Sequence, residues 1–269
     1  MDEAVHVAGS VDHEARIALR RIRVVATYTL GEAIRLKLFI LLGLAGAGLV
    51  ATAQTVSEFN FAGAELKFIG DLGLGAISVF GTLLAVLVTA HLFFTEISSG
   101  TICCVLTRSV RHWEYVWGKF SGVAALLVLF VTGLGMLLAA LLHFRGLQLG
   151  VAPVAFRVLV GACAVVWLKV SLVAAVTLLV CSYARSALFA SCVSLLVTAA
   201  GLMAPLVHGQ ARWAWLRLWP NLARFDAETL LASGQLPGAG VCLNLLVYWS
   251  VYVALFGLLA SHVLRYREF

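Results

Sequence analysis

Six apolar runs, at roughly 36–55, 72–94, 118–142, 158–181, 187–207 and 240–263, constrain this chain more than any motif does. A helix needs about 20 apolar residues to cross about 30 Å of hydrocarbon, and lipid offers no partner to an unsatisfied peptide group. The runs therefore predict an all-α membrane protein with six transmembrane helices. Composition agrees, because 62% hydrophobic residues, 12% charged residues and a mean hydropathy of +1.01 lie far outside the range of soluble domains. The first run follows a stretch holding Arg16, Arg20, Arg21, Arg23, Arg35 and Lys37, so no secretory signal peptide is expected and the first span stays in the mature protein.

Charge sets the orientation. With a cytoplasmic N-terminus, twelve Lys and Arg fall inside and six outside, with Lys169 within a span. The bias predicts a multi-pass protein with both termini inside, and Glu58, Glu65 and Asp71 in the first outer loop agree. The net charge of +6 borders hydrophobic spans and forms no basic patch with interleaved aromatics on a soluble domain. Membrane lipids with anionic headgroups, and not nucleic acid, are the expected counter-charge.

The chain divides into an N-terminal cytoplasmic segment, 1–35, and a six-span domain, 36–269. Residues 1 to about 14 are polar and expected to fray. From Ala15 to Lys37, Arg16, Arg20 and Arg23 share one side while Ala18, Ile22, Val25 and Tyr28 run beside them. That pattern predicts an interfacial helix leading into the first span.

Between the second and third runs lies a polar stretch from Glu96 to Lys119. Ser98 and Ser99 can cap a new turn, Gly100 frees the backbone, and Ile102, Val105 and Leu106 share a helical face. A short amphipathic helix at the membrane surface follows, and it needs something to dock against. Trp113, Tyr115 and Trp117 sit at the depth amphipathic rings prefer, and Lys119 is placed to snorkel to lipid phosphates, so these four residues are read as membrane anchors.

Within the spans, Gly43, Gly46, Gly48, Gly133 and Gly135 offer small surfaces for close helix approach. Lys169 falls near the middle of the fourth span, where a charge must face protein or water; it is either paired with a neighbouring helix or on a substrate path. His91, near the inner end of the second span, is read as a packing residue. None of the six cysteines has zinc or redox spacing, and they are read as small buried hydrophobes, the adjacent Cys103 and Cys104 lacking a third ligand for a soft metal. The outer segment from His208 to Gly238 mixes Arg212 and Arg217 with Trp213, Trp215 and Trp219 before Pro220 breaks it; Asp226 can cap the turn beyond. It is read as a lid over the bundle, or as an outer gate built on Trp213, Trp219, Pro220 and Asn221.

No G-x-x-x-x-G-K-[ST], no H-E-x-x-H and no G-x-S-x-G is present, and the carboxylates are scattered through loops. A non-catalytic membrane subunit is expected, with no cofactor of its own. A secondary transporter and a non-transporting scaffold for assembling an external enzyme are the alternatives. The former is disfavoured by a single intramembrane lysine.

Glu96, Gly100-Thr101, Leu106, Arg108, Val110, Glu114-Tyr115 and Gly118-Lys119-Phe120 resemble the signature between the second and third spans of ABC-2 type transporter permeases. Tyr28 to Ala33, Asp71 to Leu74, Ser182 to Ser186 and Trp219 to Phe225 look like the same family, the nearest subgroup being permeases similar to those serving nitrous-oxide reductase maturation. The chain departs from the pattern at Ser109, where proline is usual, and at His112, where arginine is usual. The resemblance implies an ABC-2, type V exporter-like fold in the bacterial inner membrane. It also implies that Glu96, Gly100, Thr101, Ile102, Val105, Leu106, Arg108 and Arg111 build a coupling helix that docks on a separate ATP-binding subunit. ATP and Mg would then reside on that partner. A second permease copy, as homodimer or pseudo-dimer, would complete the transporter, with an external accessory protein as a further candidate partner. The implied function is an exporter subunit that couples ATP hydrolysis to substrate movement or to conformational signalling across the membrane.

Overall fold

The computed structural model describes residues 2–52, 65–100, 111–149, 156–204, 220–227 and 238–266. Among them there are seven α-helices, one 3-10 turn and no strand. In chain order the helices are α1 (Asp2–Arg35), α2 (Lys37–Thr52), α3 (Glu65–Ser98), α4 (His112–Leu149), α5 (Phe156–Tyr183), α6 (Ala187–Leu202) and α7 (Ala239–Tyr266), with the 3-10 turn at Leu222–Arg224. Lipid demands this economy of form, because a helix satisfies its backbone within one segment.

Four of these helices are long and apolar enough to cross a membrane, and α1 with α2 makes a fifth if the bent pair is one span. α3 and α4, at 34 and 38 residues, extend further than the apolar runs at 72–94 and 118–142. At about 1.5 Å per residue they exceed the hydrocarbon thickness by 20 Å or more, roughly, so their ends project beyond it. At two of the six expected runs the described helix falls short of a continuous span. The run at 36–55 yields a 16-residue α2, set at 63° to α1 across Leu36. There Leu36 N–H bonds Ala33 O and Phe39 N–H bonds Leu36 O, three-residue steps that tighten the ladder and turn the axis. The run at 187–207 yields the 16-residue α6, stopped where Met203 takes φ −83 and ψ −2 and donates back to Ala199 O. The first break falls at the boundary expected between the N-terminal segment, 1–35, and the first span, with Arg35 and Lys37 on either side of Leu36, and the second falls two residues before Pro205. At the N-terminus, α1 is helical from Asp2, where fraying was expected.

α5 is apolar on every side and is the most enclosed helix, while α7 is the least. α3 and α4 pack on α5, α2 lies against α3 and α4, and α7 lies against α5 and α4. α1 packs along α4 through two glycines. A Cβ on Gly118 would lie 2.7 Å from Val25 Cβ, and one on Gly122 would lie 2.8 Å from Ala26 O. Arg21 lies 3.6 Å from Glu114, one turn earlier on both helices, so α1 runs parallel to α4 and in contact with its first turns. Of the span glycines, Gly46 meets Leu134 and Gly135 meets Cys163, but Gly43, Gly48 and Gly133 face open space and contribute no close approach here. Cys181 is buried and Cys163 and Cys242 half-buried, whereas Cys192 is exposed on α6, against the expectation for a buried hydrophobe; Cys103 and Cys104 lie outside the described residues.

Candidate functional site

α3 ends and α4 begins at the same end of the bundle, and the polar stretch between them starts from a buried cluster. Glu96, in the last turn of α3, is 8% exposed, and Tyr115 and Lys119, in the first turns of α4, are 2% and 0% exposed. The Lys119 ammonium donates to Glu96 Oε2 at 2.6 Å, to the Leu92 carbonyl at 2.9 Å and to Tyr115 Oη at 3.3 Å. Three N–H donors meet three acceptors, so the cation is saturated. Tyr115 Oη in turn donates to Glu96 Oε2. The rings of Tyr115 and Phe93 lie 5.5 and 5.9 Å from the ammonium and close its remaining sides. Glu32 of α1 is within electrostatic reach of both Tyr115 and Lys119, and its Oε2 is buried without a hydrogen bond.

This geometry corrects the reading of Tyr115 and Lys119 as membrane anchors. A lysine with no exposed surface and all three donors engaged has nothing left for a lipid phosphate. Trp113 is 38% exposed and Trp117 is half-buried, its ring edge-on to Phe120. Helical spacing carried the missed signal, since Tyr115 and Lys119 stand four residues apart and share a face.

Around this cluster the chain is tied down locally. Ser98 and Ser99 hydroxyls donate backward to Thr95 O and Glu96 O at the end of α3. Gly100 follows with φ +68, the left-handed region that glycine enters without penalty. Arg111 precedes α4, and its N–H is accepted by Glu114 Oε2 at 3.1 Å, the reach-back of a carboxylate three residues into a helix. Thr101, Ile102, Val105, Leu106 and Arg108 lie outside the described residues, as do Trp213 and Trp219.

Near the middle of α5, Lys169 donates to Ser78 Oγ at 3.0 Å, joining α5 to α3. Both line a cavity of about 230 Å³ that the segment after the 3-10 turn closes with Phe225, Asp226 and Ala227. Pro220 is buried, Asn221 N–H donates to Tyr248 Oη at 2.7 Å, and Asn221 Oδ1 accepts from Ala223 N–H at 3.0 Å. Arg224 lies 5.1 Å from the Tyr248 ring. The tie to Tyr248 was not foreseen, nor was the approach of Asp71 to Asp226, which are within electrostatic reach of each other. His91 is exposed on α3, not packed, and its carbonyl accepts from the Thr95 hydroxyl at 2.8 Å. Among the described residues no group of three or more His, Cys, Asp or Glu is placed to hold a metal ion.

The long apolar helices define a multi-pass helical membrane protein. Comparison with protein-family models finds no match for the chain, and comparison with curated proteins finds none either.

Proposed function

We propose that this chain is the six-span permease subunit of an ABC-2 type exporter in a bacterial inner membrane, with both termini cytoplasmic. It works with a separate ATP-binding subunit, which holds ATP and Mg, and with a second permease copy. The residues between Glu96 and Lys119 that resemble the family signature support this reading, and one observation carries it. Glu96, Tyr115 and Lys119 lock the last turn of α3 to the first turns of α4, on either side of the polar stretch. A force on residues 100–111 therefore moves two long helices as one lever. ATP-driven approach of two ATPases would turn the levers and repack the two permeases around a path between them.

The test is purification in mild detergent, recording the mass of the complex and its ATPase rate with and without an intact Gly100–Arg111 segment. A co-purifying ATPase whose association needs that segment supports the reading; a lone chain sinks it. One observation favours a second reading, a gradient-driven transporter: Lys169, Ser78 and Asp226 share the outer cavity, with Asp71 near Asp226. Ion-driven uptake into proteoliposomes holding this chain alone would decide for it.

A further inference from the structure

α7 runs antiparallel to α4 and touches it at Gly257, where a Cβ would lie 3.3 Å from the Trp117 ring. Towards the helix ends, just past this contact, lies a cavity of about 890 Å³, within the range of about 300–1,000 Å³ typical of ligand sites. Arg111 and His112 line it from the start of α4, and His262 and Arg265 from the last turns of α7. No carboxylate is among its described lining residues. Glu114, the nearest acid in sequence, is turned away to Arg21 and to the Arg111 N–H.

The placement of these charges asks for an anion. Arg265 stands at the carbonyl end of α7, where the helix dipole already favours a cation. Arg111, with His112 beside it, stands at the amino end of α4, where the dipole opposes a cation. Positive side chains gathered at a positive helix end gain most from a bound anion. Apart from Ser261, the rest of the described lining is apolar, formed by Leu255, Leu258 and Leu259, with Trp113 and its amphipathic ring beside them. Two other cavities differ in kind: one between α4 and α5 is apolar but for Thr132, and the one beside Lys169 contains Asp226.

We propose that the cleft between the start of α4 and the end of α7 binds an anionic phospholipid, its phosphate held by Arg111 and Arg265 and its acyl chains laid along the leucines of α7. A basic pocket over an apolar floor, between membrane helices, matches both halves of such a molecule. The site requires only that the chain sit in a membrane, although it shares Arg111 with the segment proposed to dock the ATP-binding subunit. Bound there, a lipid would bridge the base of the α3–α4 lever to α7.

Native mass spectrometry of the detergent-purified full chain, titrated with dioleoyl-phosphatidylglycerol or dioleoyl-phosphatidylcholine, tests the proposal. The wild type should retain phosphatidylglycerol preferentially, and equal retention of the two lipids overturns the site without any variant. The double variant R111Q/R265Q removes two exposed charges and should weaken phosphatidylglycerol retention by about 30-fold while leaving phosphatidylcholine unchanged. R111K/R265K should restore most of it. R16Q/R20Q, which removes two exposed charges from α1, should have little effect; an equal loss there means diffuse attraction and overturns the site. Displacement of the lipid by inorganic phosphate would identify a free anion as the ligand. If R111Q/R265Q kept its lipid but lost an ATP-binding subunit, the cleft would be a protein-docking face and the proposal would fail.

Discussion

The Nζ of Lys119 lies 2.6 Å from Oε2 of Glu96, with none of the lysine side chain and 10% of the glutamate side chain exposed. A buried pair of this kind contributes little net stability against apolar replacements, yet breaking it from one side strands a charge at a cost of about 3–5 kcal/mol. Lys119→Met should therefore destabilise the protein by roughly 3 kcal/mol, whereas Lys119→Met combined with Glu96→Gln should recover most of that loss. Thermal or SDS-induced unfolding in detergent measures both. Equal destabilisation by the single and double variants would show that the charges are not coupled.

Gly118 and Gly122 make the seam between α1 and α4. Ala at Gly122 would press its Cβ to 2.8 Å from the Ala26 carbonyl, and backbone does not yield as a flexible side chain does. Gly122→Ala should cost about 1–3 kcal/mol and loosen α1, visible as faster amide exchange over residues 16–35. Gly133→Ala meets nothing within 4 Å and should be neutral or slightly stabilising.

Gly100 holds φ +68 at the end of α3. A β-branched residue there is strained by about 1–2 kcal/mol, whereas Asn tolerates the left-handed region better. Under the proposed function, Gly100→Val should insert normally but lose coupling of ATP hydrolysis to transport, with Gly100→Asn retaining more of it. ATPase and flux assays on reconstituted complexes give the comparison, and unchanged coupling in Gly100→Val would count against the lever.

Tyr248 accepts the Asn221 N–H at 2.7 Å, and Arg224 sits over its ring. Tyr248→Phe keeps the ring and deletes the acceptor, leaving a partly buried N–H unmade at a cost of about 1–2 kcal/mol. The segment 220–227 should open more often. Alkylation of an Asp226→Cys probe by a membrane-impermeant maleimide should quicken in the Tyr248→Phe background; an unchanged rate would show that Phe225 and Leu222 hold the segment by packing alone.

Helix class, membrane residence and the approximate reach of the long spans were legible in the sequence because they follow from local length and hydropathy. A run of twenty apolar residues has few alternatives in lipid. The polar stretch between α3 and α4 was equally plain, as was the solitary lysine of α5. The 63° bend at Leu36 falls at the expected boundary between the basic N-terminal segment and the first span, but the size of the bend, like the stop at Met203, is decided by a few backbone bonds that periodicity does not report. The sequence likewise placed Lys119 at a membrane edge, where a lone lysine snorkels. Tyr115 was within reach of helical spacing, being four residues earlier on the same helix, but only the tertiary structure brought Glu96 and the Leu92 carbonyl to Lys119, because partners contributed by a different helix have no signature in the residues on either side. The same reason explains why the tie of Asn221 to Tyr248, and the basic cleft where α4 starts and α7 ends, emerge only once the helices are packed.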